Sequence, residues 1–324
     1  MNEKIRIASL KMENLEDTTG QKVTMEQRIA IMKLRLNQLR ADIICLQGVS
    51  GQKMEGESRK LLTLKKMLIG TPYKYFNMVS TMTADGSQVY EERNLVVLSR
   101  FDVIDFHQCK HEYVSAPFYR KATASPTEEE ANKVEWERPV FHVKLALPND
   151  KVLHVINLEL KSYLPVNIRG QKQNQYRWKS AAGWAEGFYL SSMKRVGQAL
   201  ETRVLVDKLF DEDEHSLIAV CGDFNSTSNN VPVQALRGDV EYTGNGLLAN
   251  RVLIPCEQIN PELFDGSPMK QGKGPMLDHL LVSRQMLAYY EKTEFIQNNF
   301  EVDAMDNKSL QSHHAPVIAE FFMP

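Results

Sequence analysis

Residues 216–226 read Ser-Leu-Ile-Ala-Val-Cys-Gly-Asp-Phe-Asn-Ser: an apolar run of strand length, a glycine, then Asp223 and Asn225 two positions apart. Side chains two apart on an extended chain face the same side, so a carboxylate and a carboxamide stand together at a strand end. The carboxylate can orient or deprotonate a water, and the amide can hold a phosphate oxygen without adding negative charge. Gly, Asp and Asn are also common turn residues, so this stretch alone is equally a strand-to-turn junction. Two later strand ends carry complementary groups: Asp278 opens one apolar run, and His313 and His314 stand just ahead of another. A histidine oriented by an aspartate can stay protonated and stabilise charge on a phosphoryl oxygen. Together the three strand ends point to phosphoester chemistry.

The elements that must position these groups follow from apolar spacing. Residues 5–10 read as a strand ending near Lys11 and Glu13, residues 25–40 as a helix, and residues 43–46 as the next strand. A second helix is expected over 57–68, with strands over 73–79, 95–98 and 103–106. Residues 113–137 lack a steady period and read as a loop. Arg138, just after it, is placed to brace the site by pairing with a carboxylate. Strands over 140–145 and 152–160 form a hairpin through Pro148, Asn149 and Asp150. A helix is expected over 194–210, a helix or turn over 285–290, and a last strand after His314.

Net charge is −2 over 324 residues, with 43% hydrophobic and 25% charged. That is a globular composition with a sizeable core, and it excludes a surface that binds nucleic acid by bulk charge. The local exception is residues 161–195, with seven Lys/Arg against one Glu and with Tyr176, Trp178, Trp184, Phe188 and Tyr189 interspersed. Such a stretch can contact a phosphodiester chain and stack its bases. The favoured reading is an insertion over about 163–195 whose aromatics pack on the body while its charges stay in water. Cys45, Cys109, Cys221 and Cys256 are scattered without zinc spacing, as expected of structural thiols in a reducing compartment. No signal peptide or membrane-spanning run is visible, so a cytoplasmic protein without a membrane partner is expected. His107, His111, His142, His154 and His279 read as ordinary strand or loop histidines.

In order along the chain, residues 5–15, 41–49, 93–100, 138–145, 155–162, 222–226, 277–283 and 312–317 resemble the endonuclease/exonuclease/phosphatase superfamily of DNase I-like nucleases, abasic-site endonucleases, sphingomyelinases and inositol phosphatases. The resemblance implies an α/β (α+β) fold: a four-layer sandwich of two mainly antiparallel sheets flanked by helices, in one domain over 1–324. It implies that Asp223 orients or deprotonates the attacking water, that Asn225 holds a phosphate oxygen, and that Asp278 orients His314, which stabilises charge on the phosphorane.

Four positions depart from the family pattern. Lys11 replaces an asparagine, Gly48 replaces the magnesium-binding glutamate, Glu159 replaces the histidine of Asn-x-His in Asn157-Leu158-Glu159, and His313 replaces the aspartate of Ser-Asp-His. The changes at Gly48 and His313 remove hard oxygen ligands that Mg²⁺ needs, while Lys11 adds a fixed cation. Two readings stand. In one the site is rewired for phosphodiester or phosphomonoester hydrolysis, with Lys11 and Asn157 on the substrate, or with a divalent cation (Mn²⁺ or Mg²⁺) held by Glu13, Glu159 and His313. Imidazole among the ligands favours Mn²⁺ or Zn²⁺. In the other, Lys11 and Glu159 pair and plug a silent pocket, and the chain is a binding or scaffold module. The partner implied is a phosphorylated substrate, with nucleic acid among the candidates.

Overall fold

The computed structural model describes residues 3–12, 24–259, 276–296 and 314–323. The first half runs β1 (Glu3–Lys11), α1 (Met25–Leu39), β2 (Ile43–Val49), α2 (Leu62–Leu68), β3 (Asn77–Ser80), β4 (Asn94–Ser99), β5 (Val103–Cys109) and a small ribbon of β6 (Phe118–Tyr119) and β7 (Asn132–Lys133). The second runs β8 (Val140–Ala146), β9 (Val152–Glu159), α3 (Ala181–Glu212), β10 (Leu217–Asp223), α4 (Val231–Arg237), β11 (Leu253–Pro255), β12 (Asp278–Ser283), β13 (Tyr290–Phe295) and β14 (Val317–Met323).

Among the described residues, two six-stranded sheets form, in the orders β13-β14-β1-β2-β4-β3 and β11-β12-β10-β9-β8-β5. Each is antiparallel apart from one central parallel pair, β1 with β2 and β9 with β10. The mainly antiparallel expectation therefore holds. Strands covered on both faces need apolar side chains at successive positions, which is how these strands read. Ile5, Ile7, Ile43, Cys45 and Val97 of the first sheet meet Phe141, Val155, Ala219, Cys221 and Leu280 of the second. Their neighbours Ala8, Leu10, Ile44 and Leu46 turn outward onto Met32 and Leu36 of α1 and Leu64 and Met67 of α2. On the far side Ile156, Leu158, Ile218 and Val220 cover Leu205, Val206 and Leu209 of α3 and Val233 of α4. The result is four layers, as expected.

The chemistry is placed by the two parallel pairs. Lys11 ends β1, Gln47 and Gly48 lie near the end of β2, Glu159 ends β9 and Asp223 ends β10. β12, antiparallel to β10, starts at this edge with Asp278, and β14, antiparallel to β1, starts just after His314.

Several local expectations shift. The helix expected over 57–68 begins at Leu62, and 73–79 divides into a 3₁₀ turn (Pro72–Tyr75) and β3. The 113–137 loop contains the β6/β7 ribbon. Asn149 and Asp150 both take left-handed φ, 58° and 56°, as a tight two-residue hairpin turn requires. The helix expected over 194–210 is the end of a 32-residue helix, α3. Half of the supposed insertion is therefore this helix, and its aromatics do not all pack on the body. Trp178 does, against Ile168 and Leu190, whereas Tyr176, Trp184, Phe188 and Tyr189 are 86%, 46%, 40% and 48% exposed. Exposed rings blur the apolar period, which is why the start of α3 is hard to read.

Candidate active site

Strand register sets the charged groups side by side. Asp223 stands opposite Glu159 on β9 and opposite Asp278 on β12. Gly222 permits this spacing: its φ is +146°, and a Cβ there would lie 2.0 Å from the Leu158 carbonyl oxygen. Beyond the strand end, the Asn225 amide N–H donates to Asp223 Oδ1 at 2.9 Å, and Asn225 Nδ2 donates to the Leu160 carbonyl at 3.0 Å. The Asp-x-Asn pair thus fixes its own turn.

Lys11 enters from the other sheet. Its ammonium donates to Glu159 Oε1 and, at 3.1 Å, to Asp223 Oδ2. Arg138 Nε lies 3.2 Å from Glu159 Oε2, so the expected carboxylate partner of Arg138 is Glu159. Burial works against the charge on Lys11, but Glu159 and Asp223 outweigh it and hold its pKa above the ordinary lysine value. Lys11 is a permanent cation here. For Arg138 burial dominates, and its pKa lies below the usual value.

Gly48 explains how Lys11 reaches this position. It sits in a bulge of β2 with φ +74°, and a Cβ there would be 3.4 Å from Lys11 Cε and 3.4 Å from the Met12 carbonyl oxygen. The Lys11 side chain lies over the glycine, in the space a longer side chain would take.

Asp278 and His314 form the expected pair, with His314 Nδ1 2.6 Å from Asp278 Oδ2. Burial pushes the Asp278 pKa up to about 6, with the charge of Asp223 adding to the shift and His314 and Lys11 opposing it. Asp278 Oδ1 is buried and has no hydrogen-bond partner among the described residues. One ligand atom each from Asp223, Asp278 and His314 lies within 4.8 Å of the others. Two carboxylates and an imidazole are a donor set suited to Mn²⁺ or Zn²⁺.

Of the expected metal ligands, Glu13 and His313 lie outside the described residues, and both oxygens of Glu159 face cations. Asn157, expected on the substrate, is fully buried and ties the two sheets together. It accepts from Gln47 Nε2 at 2.8 Å and donates to the carbonyls of Leu46 and Val96, each at 3.0 Å.

Two features escaped the sequence reading. His279 is no ordinary strand histidine: it is fully buried, with Nδ1 2.5 Å from Glu257 Oε1 and Nε2 2.7 Å from the Ser226 carbonyl. Burial disfavours its charge, yet Glu257 and that carbonyl hold its pKa above normal. This imidazolium pins the loop after Asp223 from below. The signal was its place beside Asp278, since neighbours on a strand face opposite ways. The second feature is Glu137, which has Lys161, Arg93, Lys194 and Arg138 at 3.2, 3.4, 3.8 and 3.9 Å. Burial opposes its ionisation, but these cations, Lys161 first, hold its pKa below the usual range. Glu137 and Arg138 line a cavity of about 250 Å³ with Tyr90 and Arg93.

Neither a protein-family model nor a curated protein sequence matches the chain. Solved structures do resemble it. An endonuclease/exonuclease/phosphatase from Bacteroides vulgatus is 14% identical, with a TM-score of 0.56 over 99% of this chain and 100% of the other. Truncated TDP2 from Caenorhabditis elegans is 13% identical, with a TM-score of 0.53 over 98% and 97%. The human Nocturnin catalytic domain is 13% identical, with a TM-score of 0.51 over 99% and 94%. At these identities the likeness is one of fold.

Proposed function

We propose that this chain, which has the DNase I-like fold of endonuclease/exonuclease/phosphatase proteins, hydrolyses phosphoesters with Lys11 in the place of a metal ion. The observation that carries the proposal is the convergence of Asp223, the Asp278–His314 pair and the Lys11 ammonium at one edge of both sheets. Asp223 orients the attacking water and takes its proton. The water oxygen adds to phosphorus, the ester P–O bond breaks, and the leaving alkoxide takes a proton from solvent. His314, held through Nδ1 by Asp278, supplies a protonated imidazole to the charge that develops on the phosphoryl oxygens. Lys11 adds a second positive charge that is fixed before substrate arrives. Asp223, Asp278 and His314 are the residues that would hold a divalent ion, and such an ion would polarise a phosphoryl oxygen.

A second reading rests on one observation: Lys11 already bonds both Glu159 and Asp223. In that reading the triad is a neutralised plug, and the chain is a binding module. Hydrolysis of an aryl phosphodiester and an aryl phosphomonoester by purified wild type and His314→Ala tests the choice. Turnover that disappears in His314→Ala supports the hydrolase. Equal inertness of the two proteins supports the plug.

A further inference from the structure

We propose that the solvent-facing side of the first half of α3, together with the segment leading into it, is a track for single-stranded nucleic acid that delivers a phosphodiester to the site. The proposal rests on the phosphoesterase reading of that site and names its substrate class. Its first support is the exposed rings. Trp184 and Phe188, one helical turn apart, stack at 5.6 Å with 17° between their planes, on a face open to water. Tyr189 stands next to them, and Tyr163 and Tyr176 are also exposed. Exposed apolar clusters on a soluble surface mark places of interaction, and flat rings presenting their faces are what unstacked bases bind.

The second support is charge. The one acid of this segment, Glu186, points inward, where it accepts from the backbone N–H groups of Ala122 and Thr123 and from the Tyr119 hydroxyl. It does not offset the cations outside. Arg169, Arg177 and Lys179 are exposed and form no ion pair among the described residues. Net charge is −2 over the whole chain, so attraction for a polyanion needs a local cationic patch, and these three side chains supply one.

The third support is continuity. Arg195 Nη1 donates to the carbonyls of Lys161 and Ser162 at 3.0 and 3.1 Å, and Ser191 Oγ donates to that of Leu164 at 2.6 Å. Residues that leave β9 just after Glu159 are therefore clamped along α3. Lys161 and Lys194 then meet Glu137 beside Arg138, which touches Glu159. From Trp184 to Lys194 the helix covers roughly 15 Å, so rings and site lie within the span of a short oligonucleotide. A duplex hides its base faces, and a lipid surface, which exposed Trp and Phe side chains beside cations also suit, is separated from a single strand by the vesicle arm of the test.

The test is fluorescence anisotropy with a labelled oligothymidylate of about 20 nucleotides, in EDTA, so that binding is read without turnover. The wild type is expected to bind with an affinity that falls as salt rises. Trp184→Ala/Phe188→Ala should weaken it roughly tenfold or more, with unchanged circular dichroism because both rings are exposed. Arg169→Ala/Arg177→Ala/Lys179→Ala should lower the salt dependence. A duplex of the same length should compete poorly. Three results would overturn the proposal: no binding by the wild type, affinity of the ring variant within about twofold of wild type, or capture by phosphatidylserine vesicles that the ring variant abolishes. Because binding is measured without catalysis, an inert site and an absent track remain distinguishable.

Discussion

Replacing Lys11 by methionine keeps most of the side-chain length and removes its charge. Glu159 and Asp223, 4% and 1% exposed, then stay buried without their shared cation. Breaking a buried ion pair from one side costs about 3–5 kcal/mol, because the remaining charge is desolvated and unpaired. Arg138 still lies 3.2 Å from Glu159, and the Asn225 N–H still bonds Asp223, so the lower end applies, about 3 kcal/mol. Adding Glu159→Gln replaces one stranded carboxylate by a neutral group and should return at least about 1 kcal/mol. Urea unfolding followed by circular dichroism measures both quantities. A cost below about 1 kcal/mol for Lys11→Met, or no recovery with Glu159→Gln, would refute the claim that Lys11 neutralises this pocket.

Other residues give sharper local outcomes. With Asp278 pushed up to about 6, turnover should fall as pH drops below that value, because protonation removes the charge that holds His314; Asp278→Asn should abolish this limb of the pH–rate profile. Gly48→Glu forces a side chain onto a backbone at φ +74° and against Lys11, at a cost of about 1–3 kcal/mol. The cost should shrink when Lys11→Asn clears the space, and calorimetric titration should then detect Mg²⁺ binding that wild type lacks. Glu257→Ala leaves the buried His279 imidazolium without its carboxylate and should destabilise by about 3 kcal/mol or more in urea unfolding.

The fold was largely legible because buried strands announce themselves by unbroken apolar runs, as in residues 217–221 and 280–282. A carboxylate and a histidine at strand ends were legible from the residues, whereas the pairing of Asp278 with His314 and of Lys11 with Glu159 came through the family resemblance. What the sequence hid has physical reasons. Asn157 and its partner Gln47 are polar residues spent on joining two sheets, and nothing in a strand pattern separates that role from substrate binding. Glu137 gathers its cations from the turn before β4, the segment after β9 and α3, far apart in sequence. The start of α3 was masked by rings that face water, and the same rings turned out to be its most informative residues.

Whether a lysine does the work of a metal is read from aryl phosphodiester turnover in excess EDTA against parallel reactions with Mg²⁺, Mn²⁺ and Zn²⁺. Wild type should keep its rate in EDTA, and Lys11→Met/Glu159→Gln, folded by circular dichroism, should lose orders of magnitude. Turnover abolished by EDTA and restored by Mn²⁺ would contradict that role of Lys11, as would a wild type no faster than His314→Ala under every condition.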